Sequence, residues 1–426
     1  MTQMVKDNMQ PSKNDNIIIV ALGTMGDLNP LLLVGELLQK QGHSVTVLAD
    51  ATKETFVRER KLRFHSVMSH DDWQRFISHR GLWDRDTSDA IVYSLLMLPT
   101  VTPIVHYIEQ QLTSTQYSST NTTLIGDVKT LGLRIANEKF GIPLINIHLA
   151  PEFSNSFGEY EEVKQEVTVL NQLNSIRAQF GLYTPISEMT MDWAAKCDLV
   201  INAFPRWFQG EAGSRKVPAE NFDFMVDQNA GGDLPKDVGD FLQAGDAPVV
   251  FTLGTGMKSV ERFFKVAADV CGQLNLRAIF LCKEASYLPE NLPNTILVKQ
   301  YVPLASLLPQ CRAIAHHGGI GTCAQALKSG LPQIIMPMAF DQFGNARRIE
   351  KLGVGYQLAP ADLHKDVMSK LLMQVFDNSQ MSQKCTAIKL RLSDKNGNRA
   401  ISERINTFIQ NKSCESTSES LEVDFI

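Results

Sequence analysis

Two glycine-rich turns carry most of the side chains in this sequence that could do chemistry. The first runs from Gly23 to Asp27, between an apolar run and a helical pattern that Pro30 opens. The second is His316-His317-Gly318-Gly319-Ile320-Gly321-Thr322, which follows a strand-like run and opens another helical pattern. Glycines let a ligand approach the backbone, and the N–H groups and dipole of a helix N-terminus favour a phosphate. The second turn therefore predicts a phosphate site with a histidine as hydrogen-bond donor, although a purely structural turn fits the same pattern.

An acid and an amide stand side by side after the next strand-like run. Gln333 to Pro337 has the composition of a strand, and Asp341, Gln342 and Asn345 follow it. An adjacent carboxylate and amide can accept and donate hydrogen bonds to neighbouring hydroxyls of a sugar. Asp341 at this position could also do no more than cap a helix, so both interpretations stay open here.

The elements that must position these turns alternate between strand and helix. Apolar runs such as Asn16–Leu22 and Pro248–Leu253 are typical of buried parallel strands, and each leads into a glycine turn. We therefore predict an α/β fold with two doubly wound parallel-sheet domains, over residues 14–230 and 246–395. A helix over 396–412 and a disordered Ser/Glu-rich tail over 413–426 complete the prediction. Ligands bind such sheets at the carboxyl ends of their strands, which places the predicted site in the cleft between the domains.

Composition and charge exclude several classes of function. The 426 residues are enough for two domains, with 44% hydrophobic and 20% charged residues. A net charge of −5 argues against a nucleic-acid partner, and seven cysteines without a CxxC motif fit reduced thiols. The sequence shows neither an apolar leader nor a run of roughly 18 to 20 apolar residues that would span a membrane. We expect a soluble cytoplasmic protein with at most peripheral membrane contact.

The motifs together resemble the family 1 glycosyltransferases. His316 to Asn345 contains the order of the family's donor signature: histidine-x-glycine, a small-residue helix start, glycine-x-proline, and aspartate-glutamine followed by asparagine. Gly23–Pro30 and Ile135–Pro143 are similar to the bacterial branch that holds the rhamnosyltransferase B chain of rhamnolipid synthesis and the sterol and glycopeptide glycosyltransferases. The likeness extends from Asn16 to about Asn411. It implies the GT-B fold, in which two Rossmann-like domains face a cleft and the C-terminal helix crosses back to the N-terminal domain.

The resemblance also implies a reaction and a donor site. Such an enzyme moves a hexose or deoxyhexose from a UDP- or dTDP-sugar to a hydroxyl of a hydrophobic lipid or natural-product acceptor, with inversion and without metal or cofactor. It assigns the diphosphate to His316 and the turn behind it, the nucleobase to Tyr301 and Val302, and the sugar hydroxyls to Asp341 and Gln342. The implied donor-binding set is Thr255, Tyr301, Val302, His316, Gly318, Gly319, Gly321, Thr322, Asp341, Gln342 and Asn345.

Two aspartates are the candidate catalytic residues. Many relatives have a base histidine where this chain has Asp27, and the bacterial branch has a Gly-Asp pair there, so the resemblance makes Asp27 the candidate general base. Asp27 could instead only cap the following helix. Asp127 matches the acid that orients the base histidine in plant relatives. With no histidine to orient, it either adds negative charge or is a turn residue at a strand end.

Several features leave alternatives open. Eight residues after His316, where relatives usually have a glutamate for the ribose hydroxyls, this chain has Ala324 followed by Gln325, so uridine and thymidine donors both stay open. A nucleotide-sugar epimerase and a non-catalytic partner protein are the competing functions. The latter typically lacks the phosphate histidine or the Asp-Gln pair. The candidates for an apolar acceptor wall are Leu95–Pro99, Phe153, Phe157 and Trp207.

Overall fold

The computed structural model describes residues 15–84, 86–114, 117–151, 160–187, 190–209, 218–226, 232–254, 257 and 260–422. Within these ranges the strands form two separate, wholly parallel sheets, with helices between successive strands. The predicted α/β fold with two doubly wound domains is confirmed.

The central strands of the N-terminal sheet are short runs that are buried on both faces, whereas its two edge strands are partly exposed. Its strands are β1 (Asn16–Val20), β2 (Ser44–Asp50), β3 (Arg63–Met68), β4 (Thr122–Gly126), β5 (Leu144–His148), β6 (Leu199–Asn202) and β7 (Glu220–Asn221). They lie in the order β3-β2-β1-β4-β5-β6-β7. Strand order therefore reverses between β1 and β4, and the carboxyl ends of these two neighbours meet at one edge of the sheet.

Helices cover both faces of this sheet. They are α1 (Met25–Lys40), α2 (Glu54–Glu59), α3 (His70–Ile77), α4 (Ser88–Val92), α5 (Leu98–Thr113), α6 (Leu131–Phe140), α7 (Tyr160–Gln179), α8 (Thr190–Ala194) and α9 (Arg206–Gln209). A π-helical turn, Tyr93–Met97, joins α4 to α5. The stretch Ser88–Thr113 is long and apolar enough to cross a membrane by length and composition alone, which is weak evidence, and 56% of its apolar window is buried inside the protein.

The C-terminal sheet repeats the same arrangement. Its strands are β8 (Val249–Thr252), β9 (Ala278–Leu281), β10 (Ile296–Lys299), β11 (Ala313–His316), β12 (Gln333–Ile335) and β13 (Gly355–Gln357). They lie in the order β10-β9-β8-β11-β12-β13, so the order reverses between β8 and β11. The helices are α10 (Lys236–Gln243), α11 (Glu261–Leu274), α12 (Leu304–Leu307), α13 (Ile320–Ser329), α14 (Gln342–Leu352), α15 (Lys365–Asp377) and α16 (Ser379–Leu392).

The boundary between the domains differs from the prediction. Val238 and Leu242 on α10 are buried in one cluster with Val250 and Ile279 of the C-terminal sheet. The C-terminal domain therefore begins by Lys236, before the predicted residue 246. The sequence did not predict α10, because the segment between the domains is polar and only two of the eight residues of this helix are buried.

The last helix, α17 (Gly397–Glu422), returns to the N-terminal domain as the resemblance implied. Ile401, Ile405 and Ile409 are buried in the N-terminal core, and the Arg404 guanidinium donates to both carboxylate oxygens of Glu220 at 2.8 Å. The predicted disordered tail begins too early, because α17 continues through residues 413–422, where no Gly or Pro interrupts it. Residues 423–426 lie outside the described ranges.

We expect Ile405→Ala to lower the free energy of unfolding by about 3 kcal/mol, because it leaves a cavity where α17 packs on the N-terminal core. Urea denaturation measures this value. The matched control is Leu390→Ala, which truncates a side chain that is 70% exposed. Equal unfolding curves for the two variants would show that α17 does not stabilise the N-terminal domain.

Candidate functional site

A cavity of about 500 Å³ lies between the two sheets, at the carboxyl ends of their strands. The turns after β1 and β4 line it from one side, and the turns after β8 and β11 line it from the other. Strand order reverses between β1 and β4 in one sheet and between β8 and β11 in the other. Parallel α/β sheets bind their ligands at such reversals. The cavity therefore brings together the two glycine turns that the sequence singled out.

The polar part of the N-terminal wall is a group of three charged residues. Lys129 Nζ lies 2.6 Å from Asp27 Oδ1 and 3.2 Å from Asp127 Oδ2. Asp27 and Lys129 line the cavity, whereas Asp127 lies behind them and is not among the lining residues. Asp27 Oδ2 also accepts the backbone N–H of Thr24 at 2.8 Å, which makes Asp27 part of the capping box of α1. Asp27 thus caps its helix and faces the cavity, so the two interpretations do not exclude each other.

Burial and charge act in opposite directions within this group. Burial alone would lower the pKa of Lys129, but the carboxylates of Asp127 and Asp27 outweigh it and hold that pKa above its usual value. Burial raises the pKa of Asp127, and the nearby Asp27 adds to the rise, while Lys129 works against it. Lys129 is a site residue that sequence analysis missed. Its only signal is its place two residues after a strand-end aspartate.

The rest of the N-terminal wall is apolar. Leu96 and Met97, from the π-helical turn, are the two residues of the predicted Leu95–Pro99 wall that line the cavity. Trp207 instead lies against the C-terminal core, edge-on to Phe208 and Phe224, so its predicted place in the wall is wrong. Phe153 and Phe157 lie outside the described residues. The other apolar lining residues of this wall include Leu33, Phe76, Ile77, Leu82, Trp83, Val92 and Tyr93.

His316 does not face the cavity. It ends β11 with no exposed surface, its Nε2 lies 2.9 Å from Oε1 of Gln333, and its Nδ1 accepts the N–H of Gly318 at 3.1 Å. Burial lowers the pKa of His316 to about 3, and the neighbouring His317 adds to the shift. The predicted contact of His316 with a diphosphate is therefore wrong, because both ring nitrogens are already used to hold the turn to the sheet.

His317 lines the cavity in its place. A Cβ on Gly254 would lie 2.8 Å from its Cε1, and one on Gly319 would lie 2.6 Å from its Nε2, so these two glycines form the slot for the ring. Burial lowers the pKa of His317 to about 4, and the imidazole is neutral near pH 7. Of the other predicted turn residues, Gly319, Gly321 and Thr322 line the cavity at the N-terminus of α13.

Asp341 and Gln342 also line the cavity, next to this turn. Gln342 Oε1 accepts the N–H groups of Met338 and Ala339 at 2.8 and 3.2 Å, which fixes the amide. Asn345 is fully buried and is not among the lining residues; its Nδ2 donates to Gly318 O at 2.9 Å and to Asp341 Oδ2 at 2.8 Å. The prediction that Asn345 contacts the donor is therefore wrong. It connects the glycine turn to the acid instead.

The remaining predicted donor residues are divided between three places. Tyr301 and Val302 line the cavity after β10, with Tyr301 68% exposed and Val302 buried. Gly318 has φ +93° and holds the turn from behind, where a Cβ would lie 2.7 Å from Ile335 Cγ2. Thr255 lies outside the described residues.

Phe340 brings the two domains together at the cavity. Its φ of +58° lies in the left-handed region that bulky residues rarely adopt. Its ring meets the Trp83 ring edge-on, with centroids 5.7 Å apart, and packs against the N-terminal core. The loop that carries Asp341 is therefore held against the opposite domain.

Metal binding has no support from side-chain clusters in the described ranges. They contain no group of three or more His, Cys, Asp or Glu residues that could hold a metal ion. Metal independence stays a prediction.

Two family models match the chain, one for each domain. "Glycosyltransferase family 28 N-terminal domain" matches residues 17–157, and "Erythromycin biosynthesis protein CIII-like, C-terminal domain" matches residues 272–401. Together they match more than half of the chain, and they follow the two domains in order.

Curated relatives align over almost the whole chain. The oleandomycin glycosyltransferase of Streptomyces antibioticus is 22% identical over 92% of this chain and 90% of that enzyme. The sterol 3-beta-glucosyltransferase of Pichia angusta is 22% identical over 92% of this chain, which spans 33% of that longer enzyme.

Solved structures match at the level of fold. CalG4, the calicheamicin glycosyltransferase, superimposes with a TM-score of 0.73 at 17% identity, over 93% of this chain and 99% of that one. The spinosyn rhamnosyltransferase SpnG complexed with thymidine diphosphate superimposes with a TM-score of 0.68 at 16% identity, over 92% of this chain and 100% of that one.

The buried state of His316 predicts how stability depends on pH. Unfolded, this histidine takes up a proton below its ordinary pKa of 6.5, whereas folded it does so only near 3. Its contribution is thus fully present above 6.5 and is lost as the pH falls, by about 1.4 kcal/mol per pH unit. We expect His316→Asn to lose less stability between pH 6.5 and 4.5 than the parent, measured by urea denaturation. Parallel pH dependences of the two proteins would contradict a neutral, buried His316.

Proposed function

This chain belongs to the family 1 GT-B glycosyltransferases, and from that premise we propose that it moves a hexose or deoxyhexose from a UDP- or dTDP-sugar to a hydroxyl of a hydrophobic acceptor. One observation carries the proposal: a single cavity joins the glycine turn of α13, with its histidine, to a carboxylate set in an apolar wall. A donor and an apolar acceptor can therefore meet between the two domains.

The donor diphosphate lies, in this proposal, against His317 and the first turn of α13. The N–H groups of Thr322 and Cys323 donate to Gly319 O at 3.0 and 3.1 Å, so the N–H groups of Ile320 and Gly321 at the start of the helix are the ones that can donate to the diphosphate. The helix dipole also favours an anion there. His317 is neutral near pH 7, so it contributes a hydrogen bond and no charge. These groups meet the diphosphate charge without a metal ion or other cofactor.

The nucleoside lies against Tyr301 and Val302, which line the cavity beyond β10. Counting eight residues from His317, the position of the family's ribose glutamate becomes Gln325, which also lines the cavity. An amide can bond a ribose or a deoxyribose hydroxyl, so both donors stay in the proposal. The thymidine diphosphate in the SpnG complex supports the dTDP-sugar.

Asp341 and Gln342 hold the sugar. Because Gln342 Oε1 already accepts two backbone N–H groups, its Nε2 is left to donate to a sugar hydroxyl. The Asp341 carboxylate, oriented by Asn345, accepts from a neighbouring hydroxyl. One sugar hydroxyl therefore accepts a hydrogen bond from Gln342, and its neighbour donates one to Asp341.

Asp27 acts as general base in a single displacement. The acceptor O–H bond breaks and its proton passes to the Asp27 carboxylate, while the acceptor oxygen forms a bond to the anomeric carbon. The bond from that carbon to the diphosphate oxygen breaks, and its electron pair leaves with the diphosphate. One direct displacement inverts the anomeric configuration. The apolar wall of Leu96, Met97 and Trp83 fits a hydrophobic acceptor, and the oleandomycin and sterol relatives support this class.

A substrate panel tests the proposed reaction. The protein is incubated with UDP-glucose or dTDP-rhamnose and one of three acceptors: a sterol, a macrolide aglycone or a hydroxy fatty acid. Mass spectrometry follows both the glycosylated product and the released nucleoside diphosphate. We expect Asp27→Asn to lower kcat by about 100-fold or more, because proton removal is lost while the amide oxygen still caps α1. Transfer at the parental rate in this variant would exclude Asp27 as the base.

The two adjacent histidines provide a matched pair for donor binding. We expect His317→Ala to weaken binding of the nucleoside diphosphate by about tenfold, the effect of one lost hydrogen bond to a charged group. His316→Asn should leave that affinity unchanged, because His316 does not reach the cavity. Isothermal titration calorimetry measures both. The opposite order of effects would restore the diphosphate contact to His316.

A further inference from the structure

We propose that Lys129 is a positioning residue for sugar transfer: its ammonium, anchored by Asp127, holds the Asp27 carboxylate in place at the cavity. The proposal rests on the proposed function, since it gives Lys129 a role only through the base. It also gives Asp127 a role that the sequence left open.

The anchor is built at the junction of β1 and β4. Residues 16–19 of β1 pair in parallel with residues 122–125 of β4, so Asp27 and Asp127 follow strands that end side by side. Asp127 Oδ1 accepts the backbone N–H of Lys129 at 2.9 Å, which fixes the turn that carries the lysine. Lys129 then reaches across to Asp27 Oδ1 at 2.6 Å.

The Asp27 carboxylate is held from both sides. Its Oδ2 accepts the N–H of Thr24 at 2.8 Å and the hydroxyl of Thr24 at 3.2 Å, while Lys129 binds Oδ1. The side chain of Asp27 remains 26% exposed, against 11% for that of Lys129. Rotation of the carboxylate would break bonds to two residues, so its orientation toward the cavity is fixed.

The charges explain why an anchored lysine suits a base. Two carboxylates at adjacent strand ends repel each other, and the Lys129 ammonium between them leaves the group with a net charge of −1. When Asp27 takes up the acceptor proton, the charge of the group becomes zero and Lys129 keeps Asp127 as its partner. The ammonium is therefore compensated before and after transfer, and no unpaired buried charge forms.

Other charged groups near Asp27 do not replace this contact. Lys53 is buried and ion-paired to Asp50 at 3.4 Å, and it interacts with Asp27 only at longer range. Among the hydrogen bonds and ion pairs of the described residues, Lys129 is the cation that contacts Asp27. The other titratable or charged residues that line the cavity are Arg60, Asp89, Tyr93, Lys283, Tyr301, His317 and Asp341.

The test compares pH–rate profiles of the full-length protein with the donor and acceptor from the substrate panel. We expect Lys129→Met to lower kcat by about tenfold or more at pH 7 and to move the acid limb of the profile up by about one pH unit, because a cation beside a carboxylate favours its charged form. The KM for the donor should change by less than about twofold, since Lys129 lies outside the α13 turn. Lys129→Arg keeps the cation and should keep the acid limb in its parental position.

A double-mutant cycle separates positioning from general stability. Asp127→Asn should lower kcat in the parental background but not in the Lys129→Met background, because Asp127 acts only through Lys129. The double variant removes the Lys129–Asp127 ion pair as a whole and leaves neither partner unpaired. We therefore expect it to fold even where one of the single variants unfolds. Lys139→Met is the matched control: it breaks a 2.8 Å ion pair to Glu109 in the same domain, away from the cavity, and should leave the profile unchanged.

The outcomes distinguish the two proposals. If the parent transfers sugar and Lys129→Met keeps its kcat and acid limb, Lys129 has no positioning role and the proposed function stands. Equal losses from Asp127→Asn in both backgrounds would also overturn the anchoring of Lys129. If the parent neither transfers sugar nor releases nucleoside diphosphate from either donor, the proposed function fails, and the role of Lys129 fails with it.

Discussion

The structure depends on the reversal of strand order in two parallel sheets. Every parallel strand presents its carboxyl end at one edge, and the helices leave a crevice only where neighbouring strands send their connections to opposite faces. In the N-terminal sheet this occurs between β1 and β4, and in the C-terminal sheet between β8 and β11. The packing of α17 on the N-terminal core ties the two domains together, and the two crevices enclose one cavity.

The turns that fill these crevices divide the work between the domains. The C-terminal turn offers backbone N–H groups and a neutral imidazole, which suit an anionic ligand. The N-terminal turn offers a carboxylate whose charge is balanced by a buried ammonium and a second carboxylate. The proposed reaction needs both sets, because in it the C-terminal turn binds the leaving group and the N-terminal carboxylate removes the acceptor proton. The contact of Phe340 with Trp83 keeps them at the same cavity.

Adjacent residues have different roles because a strand alternates its side chains between two faces. His316 still belongs to β11 and points to Gln333 on the next strand, whereas His317 is the first residue beyond the strand and faces the cavity. Asn345, one helical turn after Asp341, is likewise turned inward and bonds that acid and the glycine turn. The sequence motif alone assigns His316 and Asn345 to ligand contacts. In the structure, His316 and Asn345 instead hold the glycine turn and Asp341 in place.

Apolar periodicity and turn chemistry are local properties of the chain, so the sequence alone predicts the two-domain α/β fold and the two glycine turns. The family resemblance implied the return of the C-terminal helix to the N-terminal domain. The resemblance also assigned Asp27, Tyr301, Asp341 and Gln342 to the substrate site, and all four residues line the cavity. Three features are visible only in the folded chain: which of two adjacent histidines lines the cavity, the place of α10 in the C-terminal domain, and the contact of Lys129 with both Asp27 and Asp127. These features depend on contacts between residues that are far apart in the sequence. Lys129 meets Asp27 across 102 residues, and no local pattern encodes a contact that forms only when two strands pair.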